Sequence, residues 1–367
     1  MKVVQLVTRN CIGGVQGVAR LLDEELRGSG HNSTIWYFCD GDEGIVLSGG
    51  ASSLFKTRPR LTYYPRLLWR LWLRLCRDRP DAVIAHTTNT AVPGLLLAAL
   101  AGIKKRIAVQ HSPFDTYSPI AQWADRACAN LKVYWRNVAV AQVVVRSITG
   151  YTEGAKRRLR VIHNGLKLPN THRRASELEI KSARQRFNLP TEVALVVTVG
   201  RLTEVKNHAV LIEAMRSVDG AVLAIAGDGP LREELQQQIG RASAPVVLLG
   251  ALSPEDVRSL LRAGDIFVTS SHYEAMNLAI LEAAQEYLPI VASHIDAHLD
   301  VLGDDAILVE VTAERISHAI RILISDSELR ARLVAGAGRR AAQFSARAMA
   351  EEYQKLVDES DSTPAIL

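Results

Sequence analysis

Short apolar runs alternate with longer amphipathic stretches along the whole chain. In the first half, Val3–Val7, Thr34–Phe38, Ala82–Ala85, Arg106–Val109, Val138–Val145 and Arg160–Ile162 read as strands. In the second half the same reading falls on Ala194–Val199, Ala221–Ala226, Val246–Leu249, Ile266–Val268, Ile290–Ala292 and Ala306–Val309. The stretches between carry helical spacing, with Val18, Leu21, Leu22 and Leu26 on one face. Leu211/Ala214/Met215/Val218 and Ile316/Ala319/Ile320/Leu323 repeat that spacing. Strand–helix alternation of this kind predicts parallel sheets with helices on both faces. Two such series in one chain predict two Rossmann-like, doubly wound α/β domains facing a central cleft.

The expected boundary lies just after Ile162. The stretch Lys167–Ala183 is polar and basic, contains Pro169, and reads as a linker. The expected organisation is one domain at 1–166, a second at 167–342, and a terminal helix with a tail at 343–367. The last amphipathic segment runs from Phe344 to Val357, and the final ten residues read as a frayed tail.

At 367 residues the chain is long enough for two cores, and 48% apolar with 23% charged residues is a globular composition. Cys11, Cys39, Cys76 and Cys128 are scattered and read as reduced thiols of a cytosolic protein. The first strand follows a single lysine too closely for a signal-peptide core. The apolar run Ala91–Ile103 contains Pro93 and Gly94 and falls short of the roughly 20 residues a membrane span needs. A soluble or peripheral protein is expected. The net charge is +5, and between Lys56 and Arg79 eight basic residues face one acid, Asp78. A basic cluster suits nucleic acid, an anionic membrane or an anionic substrate.

Four features carry chemistry, taken in order. Arg201 and Lys206, in VTVGRLTEVKNH, follow a strand end and form a candidate clamp for a diphosphate. Gly227-Asp228-Gly229-Pro230 is a tight turn that opens a helix at Leu231. Glu274 and Glu282, in SHYEAMNLAILEAAQ, are carboxylates of a type that binds sugar hydroxyls. Together they fit a nucleotide sugar. A departing nucleoside diphosphate gains charge, and fixed cations with helix N-termini stabilise that transition state most.

This ordered set resembles the C-terminal half of the retaining glycosyltransferases of family four, which have the two-domain GT-B fold. The resemblance implies that Arg201 and Lys206 bind the donor diphosphate, Glu274 contacts the donor sugar, and Glu282 accepts from the ribose. It implies donor contacts at Gly229, Asn277 and Leu278, and from the opposite domain at Gly13 and Gly14. His111, in VAVQHSPFD, matches the family histidine at the front of the acceptor domain, near the donor sugar. His86, in VIAH, matches a second histidine read as architectural, and His163-Asn164-Gly165 matches an interdomain turn. One departure stands out: Ala275-Met276-Asn277 replaces the usual Gly-Phe-Gly, which leaves the donor sugar open. The resemblance further implies that the terminal helix returns to the first domain. It also implies a front-face route that retains the anomeric configuration, without a metal or other cofactor.

The catalytic set expected is therefore His111, Arg201, Lys206 and Glu274. Alternatives on the same fold are a nucleotide-sugar epimerase and a non-catalytic nucleotide-sugar binder. A nicotinamide dehydrogenase is disfavoured, because Val15 stands where a second fingerprint glycine belongs. Asp40-Gly41-Asp42 resembles a D-x-D metal motif but reads as an acidic turn. The segment TYYPRLLWRLWLRLCRDRP predicts a basic amphipathic helix over 63–79. Trp69, Trp72, Leu73 and Cys76 align on it, with an arginine stripe at Arg66, Arg70 and Arg74. That helix suits an anionic membrane on the cytoplasmic face, or else packs on the sheet with solvated arginines. No recognised nucleic-acid motif accompanies the charge.

Overall fold

A computed structural model of the chain describes residues 1–11, 13–41, 50–56, 64–167 and 173–359. It divides into two compact units: Met1–Lys167 with Ser345–Leu367, and Leu168–Phe344.

The first unit is built on seven parallel strands: β1 (Lys2–Asn10), β2 (Asn32–Asp40), β3 (Ser52–Ser53), β4 (Ala82–His86), β5 (Lys105–Gln110), β6 (Arg136–Ala139) and β7 (Leu159–Val161). Their order is β3-β2-β1-β4-β5-β6-β7. Central strands sandwiched between helix layers are apolar on both faces, so Val3, Val4, Leu6 and Val7 are all buried. Gln5, in the middle of β1, is buried too. Helix Tyr64–Asp78 docks through Leu67, Leu71 and Leu75, one turn apart. The terminal helix Ala346–Asp358 belongs to this unit and packs against helix Gly14–Gly28. Its entry is tight: a side chain at Gly165 would put Cβ 2.4 Å from the Ser345 carbonyl oxygen.

The second unit holds six parallel strands: β8 (Ala194–Val199), β9 (Ala221–Ala226), β10 (Val246–Gly250), β11 (Ile266–Thr269), β12 (Ile290–Ser293) and β13 (Ile307–Val309), in the order β10-β9-β8-β11-β12-β13. Both sheets reverse their winding direction once, between β1 and β4 in the first unit and between β8 and β11 in the second. The loops at the carboxyl ends of those strands are where open α/β sheets bind ligands.

Three expectations need correction, and one strand was not expected. Val143–Val145 is helical, not strand: β6 stops at Ala139, and helix Gln142–Ser147 takes up the remaining apolar run. Part of the expected linker is helix Glu177–Arg186, started by a capping box between Ser176 and Glu179. Strand β3, a two-residue edge, had no pattern of its own to announce it. The arginine stripe of helix Tyr64–Asp78 is also not a row of solvated charges. Arg70 donates to the Leu54 carbonyl and lies over the Phe55 ring. Arg74 bonds Asp78 and Ser52 and stacks on Trp36. These two arginines hold the sheet edge even though Arg70, like Arg66, is exposed.

Candidate functional site

In the second unit, the switch point between β8 and β11 collects the sequence candidates. After β8 the chain passes Gly200 and Arg201 into a 3-10 turn, Glu204–Lys206, and then helix His208–Met215. Asn207 joins the two in the left-handed conformation, which asparagine tolerates. Arg201 is exposed. The Lys206 ammonium lies 2.5 Å from Oε1 of Glu274, and the Ser271 hydroxyl donates to the same oxygen at 2.7 Å. Both partners of the ion pair are largely buried, at 22% and 13% side-chain exposure, so water screens them little.

The loop carrying Glu274 is locked to the loop carrying Lys206. Ser270 donates its hydroxyl to the carbonyls of Lys206 and Asn207, and the His272 N–H donates to the Val205 carbonyl. The glycine turn after β9 closes over the same strand end. At Gly227, with φ +147°, a Cβ would sit 1.9 Å from the Gly200 carbonyl oxygen. At Gly229 it would sit 2.4 Å from that of Leu202. Only glycine fits at either position.

Glu282 lies on helix Leu278–Gln285. It is half-buried and has no hydrogen-bond or ion-pair partner among the described residues. Burial alone pushes its carboxyl up to about 7. Leu278 opens this helix, half-buried, and Asn277 caps it.

The Asn277 side chain turns inward. Its amide donates to Thr269 Oγ1 at 3.3 Å and approaches His298 Nε2 at 3.5 Å. His298 is fully buried, and burial holds its pKa below the usual range. Its Nδ1 lies 2.9 Å from the Ser293 carbonyl, which can only accept, so Nδ1 carries the proton and Nε2 accepts from Asn277. Ser293 in turn donates to the Ser271 carbonyl at 2.7 Å. Ala275, Met276 and Asn277 are all buried, and none has a positive φ. The backbone of this loop does not require glycine, and the asparagine anchors it from within.

In the first unit, His111 follows β5. Its Nε2 lies 3.0 Å from Nδ1 of His86, whose Nε2 lies 2.9 Å from Oε1 of Gln5. The two rings overlap with centroids 5.3 Å apart. Burial lowers His111 to about 4 and, with the neighbouring His111, holds His86 well below the usual histidine range, so both are neutral at pH 7. Gly13 caps helix Gly14–Gly28 in an extended conformation that any residue can adopt, and Gly14 begins the helix. Asp40 accepts from the Ser53 hydroxyl, and Asp42 lies outside the described residues. Among the described residues no three His, Cys, Asp or Glu side chains converge as a metal site would require.

Comparison with known proteins gives the family. The glycosyltransferase family 4 model matches residues 12–168, and the model for glycosyl transferases group 1 matches residues 179–340. The chain belongs to glycosyltransferase family four. It is 29% identical over 233 residues to a lipopolysaccharide core biosynthesis glycosyltransferase of Rhizobium meliloti (strain 1021), covering 61% of this chain and 65% of that protein. It is 26% identical over 263 residues to the Escherichia coli UDP-Gal:alpha-D-GlcNAc-diphosphoundecaprenol alpha-1,3-galactosyltransferase, covering 66% and 65%. The match thus spans about two thirds of the length of these relatives. In three dimensions it is similar to Anabaena HepE, crystallised with UDP and glucose. The TM-score is 0.85 at 19% identity, covering 97% of this chain and 98% of that one. That likeness establishes the GT-B fold.

Some residues of this candidate site lie outside the sequence reading. Ser271, Ser293 and His298 carry no local motif and meet only through the sheet. Gln5 did leave a trace, as a lone polar residue inside the apolar run of β1.

Proposed function

We propose that this family-four protein is a retaining glycosyltransferase. It moves a sugar from a nucleotide-sugar donor to a hydroxyl of a glycan or lipid-linked acceptor, in synthesis of cell-surface polysaccharide or glycolipid. The observation that carries the reading is the paired Lys206 and Glu274 at the β8/β11 switch point. Arg201 stands on the same loop, and the Gly227–Gly229 turn closes beside it. Lys206 and Arg201 would hold the diphosphate, with the first turn of helix Leu278–Gln285 adding backbone N–H groups. Glu274 would orient the sugar, and Glu282 would accept from the ribose hydroxyls. UDP bound to the structural neighbour HepE supports a uridine nucleotide as the first donor to test.

The acceptor falls to the first unit, with His111 at its front. In the front-face route the acceptor oxygen bonds the anomeric carbon on the side the diphosphate leaves. The acceptor's proton passes to the departing phosphate oxygen. Arg201 and Lys206 stabilise the charge that builds there, so no divalent ion is needed. A thermal-shift screen of UDP-, GDP- and ADP-sugars tests the donor assignment, since a ligand of the folded state raises its stability. A rise with a nucleotide sugar, lost in Lys206→Ala, is expected; no rise with any donor would contradict it.

We extend the membrane reading of helix Tyr64–Asp78 to the two helices packed beside it. This helix, helix Thr88–Leu100 and helix Pro119–Asn130 pack side by side as one layer. Their outer face exposes Trp69 and Leu73, Leu96 and Leu100, and Ile120 and Trp123. The layer has two carboxylates: Asp78, bonded to Arg74 and Arg77, and the buried Asp125. Exposed apolar side chains on three packed helices that carry no exposed acid of their own fit an anionic bilayer. Peripheral attachment at the cytoplasmic face would bring the enzyme to a lipid-linked acceptor. Among the described residues no helix is long and apolar enough to cross a membrane.

A further inference from the structure

We propose that Gln5 and His86 are positioning residues that fix the tautomer of His111, so that His111 presents an unprotonated Nδ1 to a substrate hydroxyl. The argument is one of proton counting along a buried line. A carbonyl oxygen can only accept, so Gln5 Oε1, 2.9 Å from His86 Nε2, places the proton of His86 on that nitrogen. His86 is neutral in its buried position, so its Nδ1 is left as a lone pair. His111 Nε2, 3.0 Å away, must then carry a proton and donate it. A neutral imidazole has one N–H, so Nδ1 of His111 is an acceptor. The line runs from the middle of β1, through the last residue of β4, to the first residue after β5. β1 and β4 flank the switch point of this unit, and β5 lies next to β4.

Two further observations mark the line as more than core packing. The Gln5 Nε2 is buried and has no hydrogen-bond partner among the described residues. Beside His86, Thr87 has φ +79°, ψ +149°, a conformation a β-branched residue adopts only under strain. Thr87 is held there by its N–H to the Val109 carbonyl, while the Thr90 hydroxyl bonds the His86 carbonyl. Strained backbone thus flanks the histidine on which the line turns.

The inference rests on the transferase reading for what His111 does, but the tautomer can be read without any turnover. The experiment is nitrogen-15 NMR of histidine-labelled full-length protein, wild type against His86→Phe, Gln5→Leu and Gln5→Glu, with steady-state kinetics alongside. In wild type and in Gln5→Glu, which keeps an acceptor for His86, His111 is expected to be protonated at Nε2 alone. In His86→Phe and Gln5→Leu its two nitrogens are expected to share the proton. There kcat should fall by about tenfold or more, with donor KM within about twofold. A wild-type His111 protonated at Nδ1, or a tautomer unmoved in the folded Gln5→Leu variant, overturns the proposal. Wild-type protein with the expected tautomer but no transferase activity counts against the transferase reading and leaves the line intact.

Discussion

Lys206 and Glu274 form one ion pair across the two loops that flank the switch point of the second sheet, Nζ to Oε1 at 2.5 Å. The pair ties a candidate phosphate-binding cation to a candidate sugar-binding carboxylate, 68 residues apart in sequence. Removing either member leaves a largely buried charge unpaired. Lys206→Ala and Arg201→Ala should each lower turnover by about 100-fold or more, the scale for losing one transition-state donor. Folding should survive, as judged by circular dichroism. Near-wild-type rates in both variants would remove the clamp.

Glu282 gives a pH-dependent signature. Its pKa rises from 4.5 in the unfolded chain to about 7 in the fold, so the folded state binds more protons between those values. Its contribution to stability is therefore fully present below the unfolded value and is lost as pH rises through about 7. Glu282→Gln should gain in melting temperature relative to wild type at alkaline pH, with the difference shrinking on acidification. Ribose hydroxyls donating to the ionised carboxylate should also drive a proton off when donor binds at about pH 6. Calorimetry in two buffers of unlike ionisation enthalpy reads that release, which Glu282→Gln should abolish. Equal binding heats in wild type would reject the ribose role.

The Asn277 anchor predicts a stability effect. Asn277→Ala strands Thr269 and His298 inside the core and should cost about 1–3 kcal/mol, measured by urea unfolding. Asn277→Gly loses the same bonds and adds backbone freedom, so it should be no more stable than the alanine variant. A glycine variant as stable as wild type would show that the side chain does not hold the loop.

Helix spacing and strand runs made most of both sheets legible, because central parallel strands are apolar on both faces and the helices dock by one stripe. Val143–Val145 misled because a short apolar run reads alike in strand and helix. Arg70 and Arg74 were misassigned because their partners Leu54, Phe55 and Ser52 come from a sheet edge without periodic signal, and only the fold brings Trp36 of β2 under Arg74. Arg201, Lys206, Glu274 and Glu282 were legible from their order, since each follows a strand of the second unit. The inward turn of Asn277 was not, because His298 reaches it only through the fold.

The exposed three-helix face should bind vesicles rich in anionic phospholipid and release them as salt rises. Trp69→Ser with Trp123→Ser should abolish co-sedimentation while leaving transfer to a water-soluble acceptor unchanged. Arg70→Gln and Arg74→Gln are poorer probes, since both side chains brace the sheet edge. Undiminished sedimentation of the double tryptophan variant would contradict this docking face.

The central claim is that protein cations, with no metal, support departure of the diphosphate on the face the acceptor enters. Proton NMR of the transfer product tests it most directly, using the donor identified by the thermal screen, with and without EDTA. The account predicts transfer that survives the chelator and a product that keeps the donor's anomeric configuration. An inverted product, or activity lost with EDTA and restored by Mn²⁺, would contradict it.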